Sequence, residues 1–260
     1  MKSPSLAGTL LCCLCSVSTP LWCQTPVPVL ALANANAALT GGAPVTGAVL
    51  TGTVSYFAGS DEETGAVTLE ASGFFDSKLT LRLSGGDRTE IQQPWSGAWA
   101  GADGVQHSWP LHNSLASSAW FFPALLVEGW ITQPSFSVSS VAAEQRNGIA
   151  VQHLRCVRIL PDAADALTAA HVQRAGAMDL FLDSATFLPV ALEFNTHPDN
   201  NALMDIPVRI EFSDYRAAGS GKAPFHIQKY LQNTLLLDIS LTSVDLNPVI
   251  ASSDFTLQAQ

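Results

Sequence analysis

The run FSDYRAAGSGKAPFHIQKY, residues 212–230, decides how the chain is read, because its GSGK at 219–222 looks like half of a phosphate-binding loop. A complete loop follows G-x-x-x-x-G-K-[ST] and opens a helix, so that backbone N–H groups cradle the phosphates. Here Arg216 stands where the first glycine belongs, Ala223 and Pro224 follow the lysine, and FHIQKYLQ predicts a strand. GSGK is therefore a turn between VRIEFSDYR and FHIQKYLQ, in which Gly219 and Gly221 supply permissive backbone.

Strand patterns extend outward from that turn in both directions. Leu79, Leu81 and Leu83 alternate with Lys78, Thr80, Arg82 and Ser84, the period of a half-buried strand, and GGD at 85–87 turns it. GSDEETG at 59–65 predicts an acidic hairpin tip, with Asp61, Glu62 and Glu63 solvated rather than binding calcium. Later runs, SFSVSSVAAE, IAVQHLRCVRIL, AMDLFLDSATFLPVALEF, IPVRIEFSDYR and TLLLDISLTSVDLN, repeat the pattern between short polar turns. Such a series predicts a mainly β (α+β) protein with a large antiparallel sheet, either an open barrel or a sandwich. Residues 161–173 predict a short helix capped by Asp162, and a second helix from His112 to Leu126 carries Leu115, Ala119, Phe122 and Leu126 at helical spacing, with Pro123 kinking it.

The central third holds five of the six tryptophans between Trp95 and Trp130. Trp95, Trp99, Trp109, Trp120, Phe121, Phe122 and Trp130 have two readings: packing of core and lid, or lining of a hydrophobic ligand cavity.

Composition bounds the function. With 47% hydrophobic and 13% charged residues, the 260-residue chain buries a large core. Its net charge of −10 and lack of any basic cluster exclude a nucleic-acid partner. Lys2 followed by the apolar LAGTLLCCLCSV at 6–17 predicts an export signal over residues 1–23, then an unordered leader over 24–44, and one domain over 45–260. Cleavage falls after Cys23 or at a small-residue site among Ala31, Ala33, Ala35 and Ala37; Trp22 before Cys23 argues against a lipid anchor. A periplasmic or secreted location follows. Cys12, Cys13, Cys15 and Cys23 belong to the signal, so Cys156 remains alone and predicts a small buried hydrophobe.

No catalytic, metal or cofactor pattern emerges. The histidines at 107, 112, 153, 171, 197 and 226 form no HxH or HExxH pair, GxSxG is absent, and Asp183-Ser184-Ala185 resembles an aspartic protease triplet only with alanine replacing the glycine. It reads as a hairpin turn.

Residues 210–255 resemble the closing strands of the LolA-like fold, which periplasmic lipoprotein carriers and the sensor domain of a sigma-factor regulator share. Asp214, Tyr215, Gly221, Pro224, Asn247 and Phe255 occupy the positions of that family's closing pattern. The resemblance implies a curved sheet forming a half-open barrel, one or two short helices as its lid, an apolar interior that accepts acyl chains, and no catalytic residue. It departs at the start, where carriers open with a helix and this chain predicts strands. The expected function is that of an exported non-enzymatic protein binding a lipid or other hydrophobic ligand, with no cofactor; the alternative is an envelope protein-interaction or sensor module with a self-filled core.

Overall fold

A computed structural model describes residues 27–116, 118–160 and 165–256; the expected export signal lies outside them. Helix α1 (Val27–Thr40) is followed by β1 (Gly47–Ala58), β2 (Asp61–Ser72), β3 (Asp76–Leu83), β4 (Gly86–Gln93), β5 (Ser96–Ala100) and β6 (Gln106–Ser108). A single turn of 3-10 helix at Leu111–Ser114 leads to α2 (Pro123–Thr132), then β7 (Phe136–Arg146), β8 (Ile149–Arg158), α3 (Ala166–Ala175), β9 (Met178–Asp183) and β10 (Pro189–Thr196). The chain closes with β11 (Ile206–Ala218), β12 (Gly221–Leu231), β13 (Thr234–Leu246) and a 3-10 turn at Ser252–Phe255.

The thirteen strands form one sheet in the order β6-β5-β4-β3-β2-β1-β13-β12-β11-β10-β9-β8-β7. Every neighbour pairs antiparallel, and β1 meets β13, which joins the first and last strands through Ala48 opposite Leu246. β6 and β7 stay apart as edges, so the curved sheet is a half-open barrel. Alternation holds on β3, where Ser77, Leu79, Leu81 and Leu83 point inward and Arg82 is exposed. The concave face is apolar from end to end: Leu50, Leu69, Leu154, Leu180, Leu192, Ile210, Ile227 and Ile239 belong to one core cluster with the two helices that cover it, α1 and α2.

Four local expectations change. Residues 27–40 are a packed helix, not part of an unordered leader, because Ala31, Ala35 and Leu39 recur at helical spacing and bury with Leu32. A helix therefore precedes the first strand among the described residues, and the departure expected from the LolA-like pattern disappears. Pro123 starts α2 instead of kinking a longer helix, since a first-turn residue needs no N–H. The cap of α3 is Asp165, whose carboxylate accepts from the Thr168 N–H at 2.7 Å. The acids 61–63 stand in β2 opposite Ala58, Phe57 and Tyr56, behind a tip of Gly59 and Ser60.

The GSGK turn joins β11 to β12, with Gly219 in the left-handed region at φ 57°. It also receives the end of α1. Ser220 Oγ donates at 2.6 Å to the Thr40 carbonyl, one of the groups a helix leaves unbonded at its C-terminus. A Cβ on Gly221 would lie 1.9 Å from the Leu39 carbonyl oxygen, so only glycine admits the helix end. A phosphate would face the negative end of a helix here, the reverse of what anion binding needs.

The same geometry explains other closing positions. Asp214 adopts φ 51° where the β11–β12 ladder skips a pair, and Pro224, lacking an N–H, stands just beyond it opposite Tyr215. Tyr215 donates to the Pro189 carbonyl at 2.7 Å. Asn247 accepts from the Thr46 N–H at 2.7 Å and donates to the Pro44 carbonyl at 3.0 Å, tying the end of β13 to the entrance of β1. Gly221→Ala is expected to cost about 1–3 kcal/mol, because backbone must move, and to render residues 27–40 cleavable by limited proteolysis. An unchanged cleavage pattern contradicts the docking described.

Candidate functional site

The candidate site is the region where the helical cover, α1 and α2, meets the concave sheet face. Helix α2 seats through Gly129: a Cβ there would fall 1.7 Å from the Phe74 ring, so ring and helix backbone touch directly. Phe74 in turn meets Phe75 and Phe136 edge-on, at 4.7 and 5.0 Å between centroids. α1 and α2 are linked by Asn36 Nδ2 donating to Glu128 Oε2 at 2.8 Å. Beneath them the indole N–H of Trp130 and the amide oxygen of Asn36 are buried without a partner. On the outside, Val27, Val29 and Leu30 of α1 and Ile131 of α2 are exposed.

The segment before α2 is stitched to β3 and β4. Ser77 Oγ donates to the Ser118 carbonyl at 2.6 Å, Ser118 Oγ to the Phe74 carbonyl at 3.0 Å, and Gln92 Nε2 to the Ala116 carbonyl at 2.9 Å.

The structure sorts the seven aromatic candidates into three places. Trp120, Phe121, Phe122 and Trp130 are buried in the main core, the first two edge-on at 5.5 Å. The ammonium of Lys229, from β12, stands 4.7 Å over the Trp120 ring and 3.7 Å from the Glu90 carboxylate of β4. Trp109 and Trp99 belong to the β5–β6 corner: Trp109 lies against Gly97, and Trp99, 38% exposed, stacks on His107 at 4.2 Å. Trp95, 51% exposed, stands apart with the Arg158 guanidinium 4.0 Å above it. The seven therefore share no single wall.

Two cavities lie near the cover, though no residue of α1 or α2 lines either one. One of about 10 Å³ is bounded by Phe74, Phe75, Gln92, Ser114, Phe136 and Arg158. That volume admits one water-sized group. The other, an apolar cleft of about 380 Å³, opens between Leu111, Leu115, Val172, Ala175 and Leu203. None of the seven aromatic side chains lines either one.

Alternation along β8 puts Arg158 on the strand face of Leu154 and Cys156, and nothing in the sequence marked it as buried. The structure makes it 2% exposed. Cys156 beside it is also buried, and desolvation pushes its thiol pKa far up.

Elsewhere, His226 links Ser213 (2.9 Å) to Asp238 (2.8 Å). Ser213 and His226 are a direct cross-strand pair, Ser213 is exposed, and their backbones belong to the ladder, so the chain is a polar pairing on an outer face rather than an enclosed nucleophile. Among the described residues, no three His, Cys, Asp or Glu side chains converge to hold a metal ion. No described helix is long and apolar enough to cross a membrane.

No family model and no curated protein matches the chain. Solved structures do. A putative outer membrane lipoprotein-sorting protein domain from Vibrio parahaemolyticus superposes with a TM-score of 0.55 at 11% identity, covering 88% of this chain and 95% of that one. A LolA superfamily protein from Nitrosomonas europaea gives 0.55 at 10% identity, over 88% and 97%. A DUF1329 family protein from Desulfovibrio piger gives 0.52 at 10% identity, over 89% and 98%. The fold is LolA-like.

Two outcomes follow. Gly129→Val prevents α2 from seating on Phe74; overpacking of about 1–3 kcal/mol lowers Tm by at least about 2 °C, and binding of a dye that lights up on apolar surface rises. The Cys156 thiol resists maleimide in the native protein at pH 7 and still at pH 9, since burial holds it protonated, and reacts at once in denaturant; rapid native labelling contradicts its place in the core.

Proposed function

We propose that this is an exported, non-enzymatic protein of the cell envelope that binds a lipid or another hydrophobic ligand beneath the cover made by α1 and α2. The observation that carries the reading is the nature of the cover: two apolar helices lie on an apolar concave face, joined to each other by one side-chain hydrogen bond, over the orphaned Trp130 indole N–H. Lifting them exposes a continuous greasy trough, and the unpaired indole offers one directed hydrogen bond to an entering acyl ester or acid. Structural relatives described as LolA superfamily and lipoprotein-sorting proteins support the same class of ligand.

A second reading has its own observation. The cavity between Arg158 and Phe74 has room for one water-sized group, so in the closed form side chains fill the space beside α2. On that reading the protein is an envelope interaction or sensor module, and the exposed Val27, Val29, Leu30 and Ile131 are its contact patch.

Native mass spectrometry of the protein purified from its own envelope separates the two. The ligand reading expects adducts of lipid or fatty-acid mass that organic extraction removes; adduct-free protein that copurifies with a partner supports the module instead.

A further inference from the structure

A cation sits inside this protein with no counter-charge among the described residues. Arg158 is buried, and its Nη1 donates to the Pro94 carbonyl at 3.0 Å. Its guanidinium carbon lies 4.0 Å from the Trp95 ring centroid and 5.2 Å from that of Phe75, and its Nε–H has no partner. Arg88, Arg146, Arg155, Arg174, Arg209 and Arg216 all form ion pairs with carboxylates, whereas Arg158 pairs with none among the described residues. Burial lowers its pKa, yet a guanidinium stays protonated in proteins. A buried charge is costly unless an opposite charge meets it, and aromatic faces supply only part of that.

A second unsatisfied group faces the same cavity. Ser114 Oγ is buried with no hydrogen-bond partner, and both residues bound the space of about 10 Å³. A water satisfies two orphan donors but leaves the charge uncompensated; an anionic oxygen does both. The rest of the wall is apolar at Phe74, Phe75, Leu115, Phe136 and Met178 and polar at Gln92, Gln93 and Ser118, and Phe74 is the ring on which α2 rests through Gly129. The anion site therefore borders the apolar region that opening of α2 would extend.

Resting on the ligand-binding reading above, we propose that Arg158 and Ser114 receive the carboxylate of the hydrophobic ligand, which is thus a single-chain, fatty-acid-like amphiphile. The space admits one oxygen-sized group at a time, which suits a carboxylate edge and not a bulky phosphodiester head. The acyl chain runs past Phe74 and Phe136 into the space that α2 vacates.

The test titrates the full chain with palmitate, methyl palmitate and sodium acetate, below micellar concentrations, and follows tryptophan fluorescence and Tm. Palmitate is expected to bind at least about tenfold more tightly than its ester, the scale of one charge-assisted hydrogen bond. In Arg158→Met that ratio falls toward one. Because Arg158→Met also loses the Pro94 contact and can unfold, Ser114→Ala repeats the test at a hydroxyl that bonds nothing else, and the ratio falls severalfold. Equal binding of acid and ester overturns the proposal and leaves the ligand-binding reading standing; binding of neither removes both. Acetate that raises Tm in the wild type as much as palmitate does assigns the site to free anions and overturns the head-group role. Asp162, four positions along the chain and outside the described residues, is the control for an internal counter-charge: a palmitate preference that emerges only in Asp162→Asn also overturns the proposal.

Discussion

An antiparallel sheet that curls without closing exposes one apolar face to whatever lies within the curve, and water there would cost more than any other feature of this fold. Leu50, Leu69, Leu180, Ile210 and Ile239 spread that face across five strands, from β1 and β2 to β9, β11 and β13. At roughly 25 cal/mol per Å² of apolar surface kept from water, its coverage dominates the energetics. α1, α2 and the aromatic segment 118–122 exist to provide it, and the rest of the architecture positions them.

Two backbone approaches set that position. Leu39 of α1 enters over Gly221, and Gly129 of α2 rests on Phe74. Both need the absence of a side chain, so both make the cover's seat a matter of shape rather than of many polar bonds. Asn36 and Glu128 then register one helix against the other. A cover held by surface complementarity, with few directed bonds, is what a reversible lid requires, and the buried N–H donors of Trp130 in α2 and of Arg158 Nε in β8 both lack a partner.

Much of the sheet was legible because strand alternation is a local signal. Leu79, Leu81 and Leu83, the turn after Asp183 and the GSGK connection appear where periodicity and turn chemistry place them, while the turn expected at GGD 85–87 falls at Ser84–Gly85, with Gly86 and Asp87 already paired in β4. Helix α1 was not legible, because its buried Ala31, Leu32, Ala35, Leu39 and Thr40 stand among exposed valines, leucine and alanines, so the two faces carry little hydrophobic contrast. Pro123 permits both a kink and a start, and only the burial of Phe121 and Phe122 ahead of it decides for the start. The aromatic cluster was visible as a composition, but its division among the core, the β5–β6 corner and the Arg158 stack depends on tertiary placement. Alternation puts Arg158 on the face of Leu154 and Cys156; that no described carboxylate meets it is a three-dimensional fact with no sequence signal.

The central claim is that α1 and α2 form a removable cover over the sheet. Native-state hydrogen exchange of the purified protein tests it most directly. Residues 27–40 and 123–132 should open together at a free energy clearly below that of global unfolding, while β11, β12 and β13 exchange only when the whole chain unfolds. Protection of both helices equal to that of those strands would make them a permanent core and contradict the account.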